Sequence, residues 1–472
     1  MVFSSLIFLF AYLAVTLVLY YVVPFKARNA VLFAVSLVFY GWGEPKYIVV
    51  MLFSILVAYI FGFFVGKYRE SAPKKARTYL IVSVILNLSA LLFFKYANFF
   101  IENLALIPGL GGLEPIEGLK LPVGISFYTF QIMSYTIDVY RGDAAVQRDP
   151  LKLALYIAFF PQLVAGPIVR YTTVAEEIDE RHESVSEFSA GAVRFLFGLG
   201  KKMLLANAVA RIADAAFAAV MPSVLFAWLG AVAYTFQIYF DFSAYSDMAI
   251  GLGRMFGFHF LENFNYPYVA RSVTEFWRRW HISLSTWFRD YVYIPLGGNR
   301  CSRARNVWNL FVVWFLTGMW HGASWNFIAW GLWFFVLLVG EKFLWGKALE
   351  RLPSLVRHAY AMVLVVFSWV LFRAETLTAA AAYFAAMFGS SGVWCGSRVV
   401  YYVLEFWPEL LCCCIAALPV KQWLETALQK RDAAPARAVL TWGPKLAAMA
   451  LLACSYCKLV TGSFNPFIYF RF

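Results

Sequence analysis

Long segments without a single charged side chain decide the class of this protein. Of its 472 residues, 62% are hydrophobic and only 14% are charged, whereas about a quarter of the residues in a soluble domain are charged. This composition is typical of membrane proteins. The charge-free runs are residues 1–25, 29–43, 47–66, 79–94, 153–169, 215–240, 306–340, 359–372 and 376–397.

The lengths of these runs predict membrane-spanning helices. A helix needs roughly 20 apolar residues to cross the hydrocarbon core, with about 17 as the lower limit. Several runs are at or just below this limit, so flanking Lys and Arg must snorkel, or the helices must be tilted, bent or re-entrant. Apolar blocks without alternation argue against strands. We expect an all-α, polytopic membrane bundle of about eleven spanning helices with short re-entrant or interfacial helices.

One membrane domain is expected over residues 1–472, because the sequence has no linker, low-complexity tract or clear repeat. Its longest polar stretches, 170–187 and 271–305, are too short for a soluble domain. The first run lacks a basic n-region and a small-residue cleavage site, which indicates a retained helix. The seven cysteines, including the triplet 412–414 and the C-x-x-C at 454–457, are interpreted as small buried hydrophobes.

The distribution of Lys and Arg predicts the orientation, since basic loops stay in the cytoplasm. The loop 67–77 carries five basic residues and one acid, and the segment 421–445 carries five basic residues and two acids. By contrast, the later stretch 102–120 carries Glu102, Glu114 and Glu117 against Lys120 alone. The N-terminus is therefore expected outside. The net charge of +13 mostly reflects this topology and requires no nucleic-acid partner.

His321 lies near the centre of the run 306–340, which is long enough for two short helices with the histidine at or near their join. Ionisable groups at membrane depth usually face an interior or a water-filled cavity and serve function. The structural alternative is a histidine that forms hydrogen bonds across helices. We favour function, because Gly318 and Gly322 allow backbone or substrate to approach closely.

His281 lies in a polar segment, 271–305, that contains seven arginines and two acids among several tryptophans. This segment could be a cytoplasmic loop that follows the positive-inside rule, or it could contact anionic lipid headgroups. It could also be a docking surface for an anionic donor, since Arg binds phosphate with two parallel hydrogen bonds. The spacing leaves these alternatives open.

Asp241 and Asp247 lie at the edge of the run 215–240 and could orient a histidine or line a polar path. They could equally pair with nearby arginines, and we slightly favour that structural role. The residues predicted to line a tunnel or contact the donor are Trp277, Arg278, Arg279, Arg289, Asp290, Trp320, Asn326 and Asp241.

Several catalytic signatures are absent from the sequence. It contains no P-loop, dinucleotide fingerprint, paired Cys/His metal motif or G-x-S-x-G nucleophile elbow. We therefore expect neither a bound metal nor a permanently bound cofactor.

The motif set resembles the membrane-bound O-acyltransferase family, within it the bacterial branch that includes alginate O-acetyltransferases. The resemblance rests on residues 1–10, 121–130 (LPVGISFYTF), 160–167 (FPQLVAGP), 276–281 (FWRRWH), 293–300 (YIPLGGNR), 320–322 (WHG) and 467–470 (FIYF). It implies a helical bundle around a tunnel, with His321 as the presumed catalytic residue and His281 as the second signature histidine.

The resemblance also implies acetyl transfer from a cytoplasmic donor, acetyl-CoA, to an exported polysaccharide. A separate periplasmic or extracellular acyltransferase would complete the transfer, and the protein would lie in a bacterial plasma (inner) membrane in contact with lipid. The alternatives are D-alanyl transfer to teichoic acid, within the same family, and a polysaccharide or lipid transporter without chemistry. The segment 295–300 inclines us toward acetyl transfer.

Overall fold

A computed structural model describes residues 1–430, 434–462 and 464–468, and within these ranges every regular element is helical. Tyr469 and Phe470 of the C-terminal motif lie outside the described residues, as do Arg431 and Asp432 of the basic segment 421–445.

The described α-helices are, in chain order, Leu13–Val22, Phe25–Gly43, Ile48–Tyr68, Pro73–Ala105, Ile125–Arg141, Pro150–Ala158, Phe160–Leu163, Tyr171–Asp179, Val185–Gly200, Asn207–Phe217, Val224–Met255, Val273–Arg279, Ile282–Phe288, Arg303–His321, Trp325–Gly340, Gly346–Glu350, Ser354–Arg373, Leu377–Met387, Ser397–Ala416, Val420–Gln429 and Ala434–Thr461. The other elements are the π-helical turns Ile7–Tyr12, Lys201–Ala206, Arg289–Tyr293 and Glu341–Trp345, and the 3-10 turn Pro267–Val269.

Within the described ranges, seven helices are long and apolar enough to cross a membrane. They are Ile48–Tyr68, Pro73–Ala105, Val224–Met255, Trp325–Glu350, Ser354–Arg373, Ser397–Ala416 and Pro435–Thr461. Ile7–Val22 and Leu377–Met387 are shorter apolar helices. The prediction of an all-α protein that crosses the membrane several times is confirmed. The count of about eleven passes and the central tunnel stay predictions.

The interpretation of the cysteines as buried side chains is wrong for most of them. All seven are free thiols, and only Cys413 is buried. The exposed ones are Cys395, Cys412, Cys414, Cys454 and Cys457. Four of these five lie on Ser397–Ala416 and Ala434–Thr461, two helices with little buried surface. A small apolar side chain on the outer face of such a helix is compatible with lipid, so it needs no burial within the protein.

The chain forms two compact units, and each has its own interior. The first unit consists of residues 1–192 and 249–261, and the second of residues 193–248 and 262–472. In the first unit, the Tyr20 hydroxyl and Arg28 Nη1 donate to the same Glu183 carboxylate oxygen, at 2.5 and 2.8 Å. All the predicted site residues lie in the second unit. The expectation of a single domain stays a prediction.

Aromatic side chains form the core of the second unit. Trp330 is only 1% exposed, and its ring centroid lies 5.8 Å from that of Trp277 and 5.2 Å from those of Phe334 and Phe372. Rings of this size contribute large buried areas, and edge-to-face contacts of the kind seen here add about 0.5–1.5 kcal/mol each. The interior near Trp330 is therefore dense and apolar.

The helices Arg303–His321 and Trp325–Gly340 form a hairpin with close backbone contact. A Cβ added to Gly318 would lie 2.5 Å from the carbonyl oxygen of Phe327, and one added to Gly331 would overlap the carbonyl oxygen of Trp314. Glycine is required at both positions because no side chain can be accommodated there. The close approach predicted at Gly318 is confirmed for the backbone.

We expect Gly331→Val to destabilise the second unit by about 1–3 kcal/mol, because overpacking would force the two hairpin helices apart. Thermal unfolding of the detergent-solubilised protein, followed by size-exclusion chromatography after heating, measures the change. Gly112→Val is the matched control, since a Cβ at Gly112 meets open space. Equal unfolding midpoints for both variants would contradict the packing described here.

Candidate active site

His321 is the last residue of the helix Arg303–His321, and the next helix begins at Trp325. This position confirms the prediction that the histidine lies at the join of two helices. Its ring centroid lies 4.8 Å from that of Trp330 and 5.2 Å from that of Phe372. The residue is 8% exposed, so it is largely but not completely sealed. In such apolar surroundings, polar interactions with the imidazole are stronger than in water.

His281 occupies a backbone conformation that side chains rarely adopt. Its φ is +45° and its ψ is +55°, in the left-handed region. It lies between Val273–Arg279, called the tryptophan helix below, and Ile282–Phe288. The imidazole stands perpendicular to the ring of Phe242, with 4.6 Å between centroids. Strained conformations of this kind persist only where the surroundings hold them, and they cluster at functional sites.

The hydrogen bonds of Asn263 determine which ring nitrogen of His281 carries the proton. The backbone N–H of Ser283 can only donate, and it donates to Oδ1 of Asn263 at 3.1 Å. An amide oxygen can only accept, so His281 Nδ1, 3.2 Å from the same Oδ1, must be the protonated nitrogen. His281 Nε2 then carries a lone pair. It is buried and has no hydrogen-bond partner among the described residues, so it can accept a hydrogen bond from a substrate group.

Burial keeps His281 neutral. The residue is 1% exposed and lies outside the seven spanning helices. Loss of hydration lowers the pKa of its imidazole from 6.5 to about 3, because the charged form cannot be solvated there. His281 therefore acts as a neutral acceptor rather than as a cation at physiological pH.

Trp320 brings the two histidines together. Its ring centroid lies 5.0 Å from that of His321 and 5.9 Å from that of His281, and both pairs meet edge to face. The sequence separates these histidines by forty positions, yet the second unit places both against one indole. A reacting group near Trp320 would therefore lie close to both imidazoles.

A cavity of about 570 Å³ lies beside the tryptophan helix. Arg278, Arg279 and Arg357 line it together with Glu275, Glu341 and Glu350. Arg279 is already bound to Glu275 at 2.9 Å. Arg278 is exposed and forms no ion pair among the described residues, so its guanidinium can bind an anion.

The other residues predicted to line the donor path have local partners. Trp277 is 7% exposed and packs on Trp314, with 4.6 Å between ring centroids. Arg289 forms an ion pair with its neighbour Asp290 at 2.6 Å. Asn326 donates to the carbonyl oxygen of Ala374 at 2.5 Å, which ties the start of its helix to residue 374. A role for these residues in contacting the donor stays a prediction.

Asp241 forms a buried ion pair with Lys202, with 2.7 Å between carboxylate and ammonium, and both side chains are at most 3% exposed. The second carboxylate oxygen accepts the backbone N–H of Ile468 at 2.8 Å. Asp247 binds Arg194 and Lys201, at 2.9 and 2.7 Å. These contacts match the structural role favoured from the sequence, although the partner of Asp241 is a lysine rather than an arginine.

The sequence model of the membrane-bound O-acyltransferase family matches residues 118–380. The chain belongs to this family. It is therefore an acyltransferase, and membership of an enzyme family argues against the alternative of a transporter without chemistry. The matched segment contains both histidines, Trp320 and all the other predicted site residues.

Three named relatives extend the similarity. A protein named "Probable alginate O-acetylase AlgI" from Azotobacter vinelandii is 40% identical to this chain. The alignment is 504 positions long and covers the whole of both chains. The peptidoglycan O-acetyltransferase of Helicobacter pylori is 34% identical over 83% of this chain and 81% of its own. The teichoic acid D-alanyltransferase of Bacillus subtilis is 28% identical over 55% of this chain and 69% of its own.

Reasoning from the sequence missed Asn263 and Glu341. Asn263 orients His281 from 18 positions away, and Glu341 accepts hydrogen bonds from the start of the tryptophan helix, 68 positions earlier. Such long-range pairs leave no periodic signal. The sequence held one indication for Glu341, since it is the first charged residue after the run 306–340. The fold buries this residue to 8% exposure.

We expect the stability of the protein to fall by about 2 kcal/mol between roughly pH 6.5 and 5 through His281 alone. The folded-state pKa of His281 is depressed, so the unfolded chain binds more protons than the fold below about 6.5 and stability is lost as the pH falls. His281→Asn, which tolerates a left-handed φ, should lessen this loss. Thermal unfolding at several pH values measures it. His182→Asn, at an exposed position, should keep the wild-type dependence. Identical pH dependence in His281→Asn and wild type would refute the buried neutral state.

We expect Lys202→Met to destabilise the second unit by about 3–5 kcal/mol, because the Asp241 carboxylate would stay buried without its cation. The double variant Lys202→Met/Asp241→Leu should recover much of this loss, which thermal unfolding measures. Lys201→Met is the control, since Asp247 keeps Arg194 as a partner. A double variant no more stable than Lys202→Met would show that the ion pair does not matter in this way.

Proposed function

We propose that this protein transfers acetyl groups from cytoplasmic acetyl-CoA through the membrane for O-acetylation of an exported polysaccharide. The family and the relatives named for acetylation of alginate and peptidoglycan support the reaction and the class of acceptor. The observation that carries the proposal is the pair of largely buried histidines that both contact the ring of Trp320.

His321 is the residue that we assign to the acceptor. A hydroxyl is a poor nucleophile near neutral pH, and histidine is the usual base to activate it. As the hydroxyl oxygen bonds to the acetyl carbonyl carbon, His321 takes the hydroxyl proton. The carbon–sulfur bond breaks, and the leaving thiolate receives that proton. Alternatively, an imidazole nitrogen of His321 bonds to the acetyl carbon as the carbon–sulfur bond breaks and the thiolate leaves. The acceptor oxygen then takes the acetyl group from that nitrogen, and the hydroxyl proton passes to the imidazole. The rings of Trp330 and Phe372 restrict water at this histidine, which limits thioester hydrolysis.

His281 and the cavity arginines are assigned to the donor. The lone pair on His281 Nε2 can accept a hydrogen bond from a group on the donor. Arg278 and Arg279, three and two residues before His281 in the chain, line a cavity of about 570 Å³. Guanidinium groups bind phosphates strongly and acetyl-CoA carries several, so the arginines would help to admit and orient it.

The proposal includes a location and a partner. The distribution of basic residues supports a plasma (inner) membrane protein with its N-terminus outside. An exported acyltransferase outside the membrane would pass the acetyl group to the polysaccharide. D-alanyl transfer from a carrier protein is the second candidate, supported by the Bacillus subtilis relative. The acetylase relatives favour acetyl transfer, since they align over the whole chain with higher identity.

We expect His321→Ala to reduce O-acetylation of the surface polysaccharide about 100-fold or more, because general-base catalysis contributes roughly 10²–10⁴-fold. Mass spectrometry of polysaccharide from a deletion strain that expresses each variant measures the acetyl content. In membrane vesicles, acetyl-CoA and a charged carrier protein offered as donors distinguish the two transfer reactions. His182→Asn is the control variant at an exposed histidine. Normal acetylation by a correctly inserted His321→Ala protein would defeat the proposal.

A further inference from the structure

We propose that Glu341 is a positioning residue that holds the tryptophan helix at the cavity, and that this placement sets the affinity for the donor. Its neighbour Lys342 holds a second signature segment, which is not part of the cavity lining described above. The segments are the tryptophan helix and residues 293–300, called the glycine loop below. The proposal rests on the function proposed above. Neither residue belongs to a motif singled out from the sequence.

The Glu341 carboxylate holds the start of the tryptophan helix. One oxygen accepts the backbone N–H of Val273 at 2.7 Å, and the other accepts the backbone N–H and the hydroxyl of Thr274, at 2.8 and 2.6 Å. The first N–H groups of a helix have no partner within it, so these bonds satisfy donors that would otherwise be buried unpaired. Glu341 is 8% exposed. Hydrogen bonds to a buried charged group are among the strongest in proteins.

The Lys342 ammonium holds the glycine loop. Its Nζ donates to Oδ1 of Asn299 at 2.5 Å and to Oδ1 of Asn306 at 2.8 Å. Asn306 in turn donates through Nδ2 to the carbonyl oxygen of Gly298 and to the hydroxyl of Tyr293, both at 2.7 Å. Lys342 therefore links one end of the loop to the helix Arg303–His321, which carries the catalytic histidine.

A local widening of the helix allows neighbouring residues to serve two segments. Glu341 and Lys342 are the first two residues of the π-helical turn Glu341–Trp345, which directly follows Trp325–Gly340. A Cβ at Gly340 would overlap the ring of Trp345, so the turn depends on glycine there. Single π-helical turns inside α-helices are frequent at functional sites because they redirect side chains.

The contacts of Glu341 bear on the donor because the tryptophan helix carries two of the arginines that line the cavity. The helix contains Arg278 and Arg279 and ends two residues before His281. Asn263 fixes the His281 end, and Glu341 fixes the other end. Without Glu341, the start of the helix would lose its anchor, and Arg278 and Arg279 would lose their fixed position at the cavity. A small displacement of binding groups is enough to lower binding and catalysis substantially.

The test compares Glu341→Gln, Lys342→Met and Lys342→Arg in vesicles with acetyl-CoA as donor, together with hydrogen–deuterium exchange of the full-length protein. We expect Glu341→Gln to raise the KM for acetyl-CoA about tenfold, with a smaller change in kcat, because it weakens charge-assisted hydrogen bonds by about 1.4 kcal/mol. Lys342→Met should leave this KM unchanged, because the loop that Lys342 holds is not part of the cavity lining. Exchange should increase at residues 273–281 in the first variant and at 293–300 in the second. Lys342→Arg should keep wild-type exchange at 293–300, since it keeps the charge and the donors that bind Asn299 and Asn306. Lys347→Met, at an exposed lysine on the next helix, is the control.

Faster exchange with an unchanged KM in Glu341→Gln would overturn the inference, because Glu341 would then only stabilise the fold. Unchanged exchange in both variants would overturn it as well. If wild-type protein does not use acetyl-CoA at all, the proposed function fails and the inference fails with it, and this result is distinct from the other two because it concerns the wild type.

Discussion

The hydrogen bond between Asn263 and His281 is the interaction on which the site depends. A buried imidazole must be hydrogen-bonded through at least one nitrogen, and a reactive or binding imidazole must leave the other available. Asn263 meets both demands, because its side-chain oxygen accepts a hydrogen bond from Nδ1–H of His281 and Nε2 keeps its lone pair. The same oxygen accepts the N–H and hydroxyl of Ser283, and the amide nitrogen donates to Ser246. One side chain thus maintains both the tautomer of His281 and its left-handed backbone.

The aromatic core of the second unit complements this polar contact. The rings of Trp330 and Phe372 pack on His321 and restrict water there, which limits hydrolysis of a thioester. His281 is sealed at 1% exposure, whereas His321 keeps 8%. This difference agrees with the roles proposed for the two histidines. His281 stays neutral and accepts a hydrogen bond from a group on the donor, whereas His321 takes the proton of the hydroxyl.

The parts of the fold that follow from local sequence could be predicted, and the parts that depend on distant pairs could not. Uncharged runs gave the helical membrane class, and the position of His321 at a helix join followed from a 35-residue run with glycines on both sides of the histidine. Asn263 and Glu341 were invisible because each acts on a segment far along the chain. The cysteines were misjudged because a lipid-facing surface and a protein interior accept the same apolar side chains. The partner of Asp241 likewise depended on tertiary structure, since Lys202 lies 39 positions away.

The helix that carries His321 shows why functional helices are hard to identify by hydropathy. Arg303–His321 is not among the seven helices apolar enough to cross a membrane, and it contains Asn306, Asn309 and Thr317 as buried polar residues. Each has a use within the protein: Asn306 and Asn309 donate to the carbonyl oxygen of Gly298, and Thr317 donates to that of Val313. A helix surrounded by protein can bear such groups because protein partners replace the missing water, whereas a lipid-facing helix cannot. The two asparagines that help to lower the hydropathy of this helix below that of a spanning helix are therefore the same residues that bind it to Gly298. The last residue of this helix, His321, lies in the site.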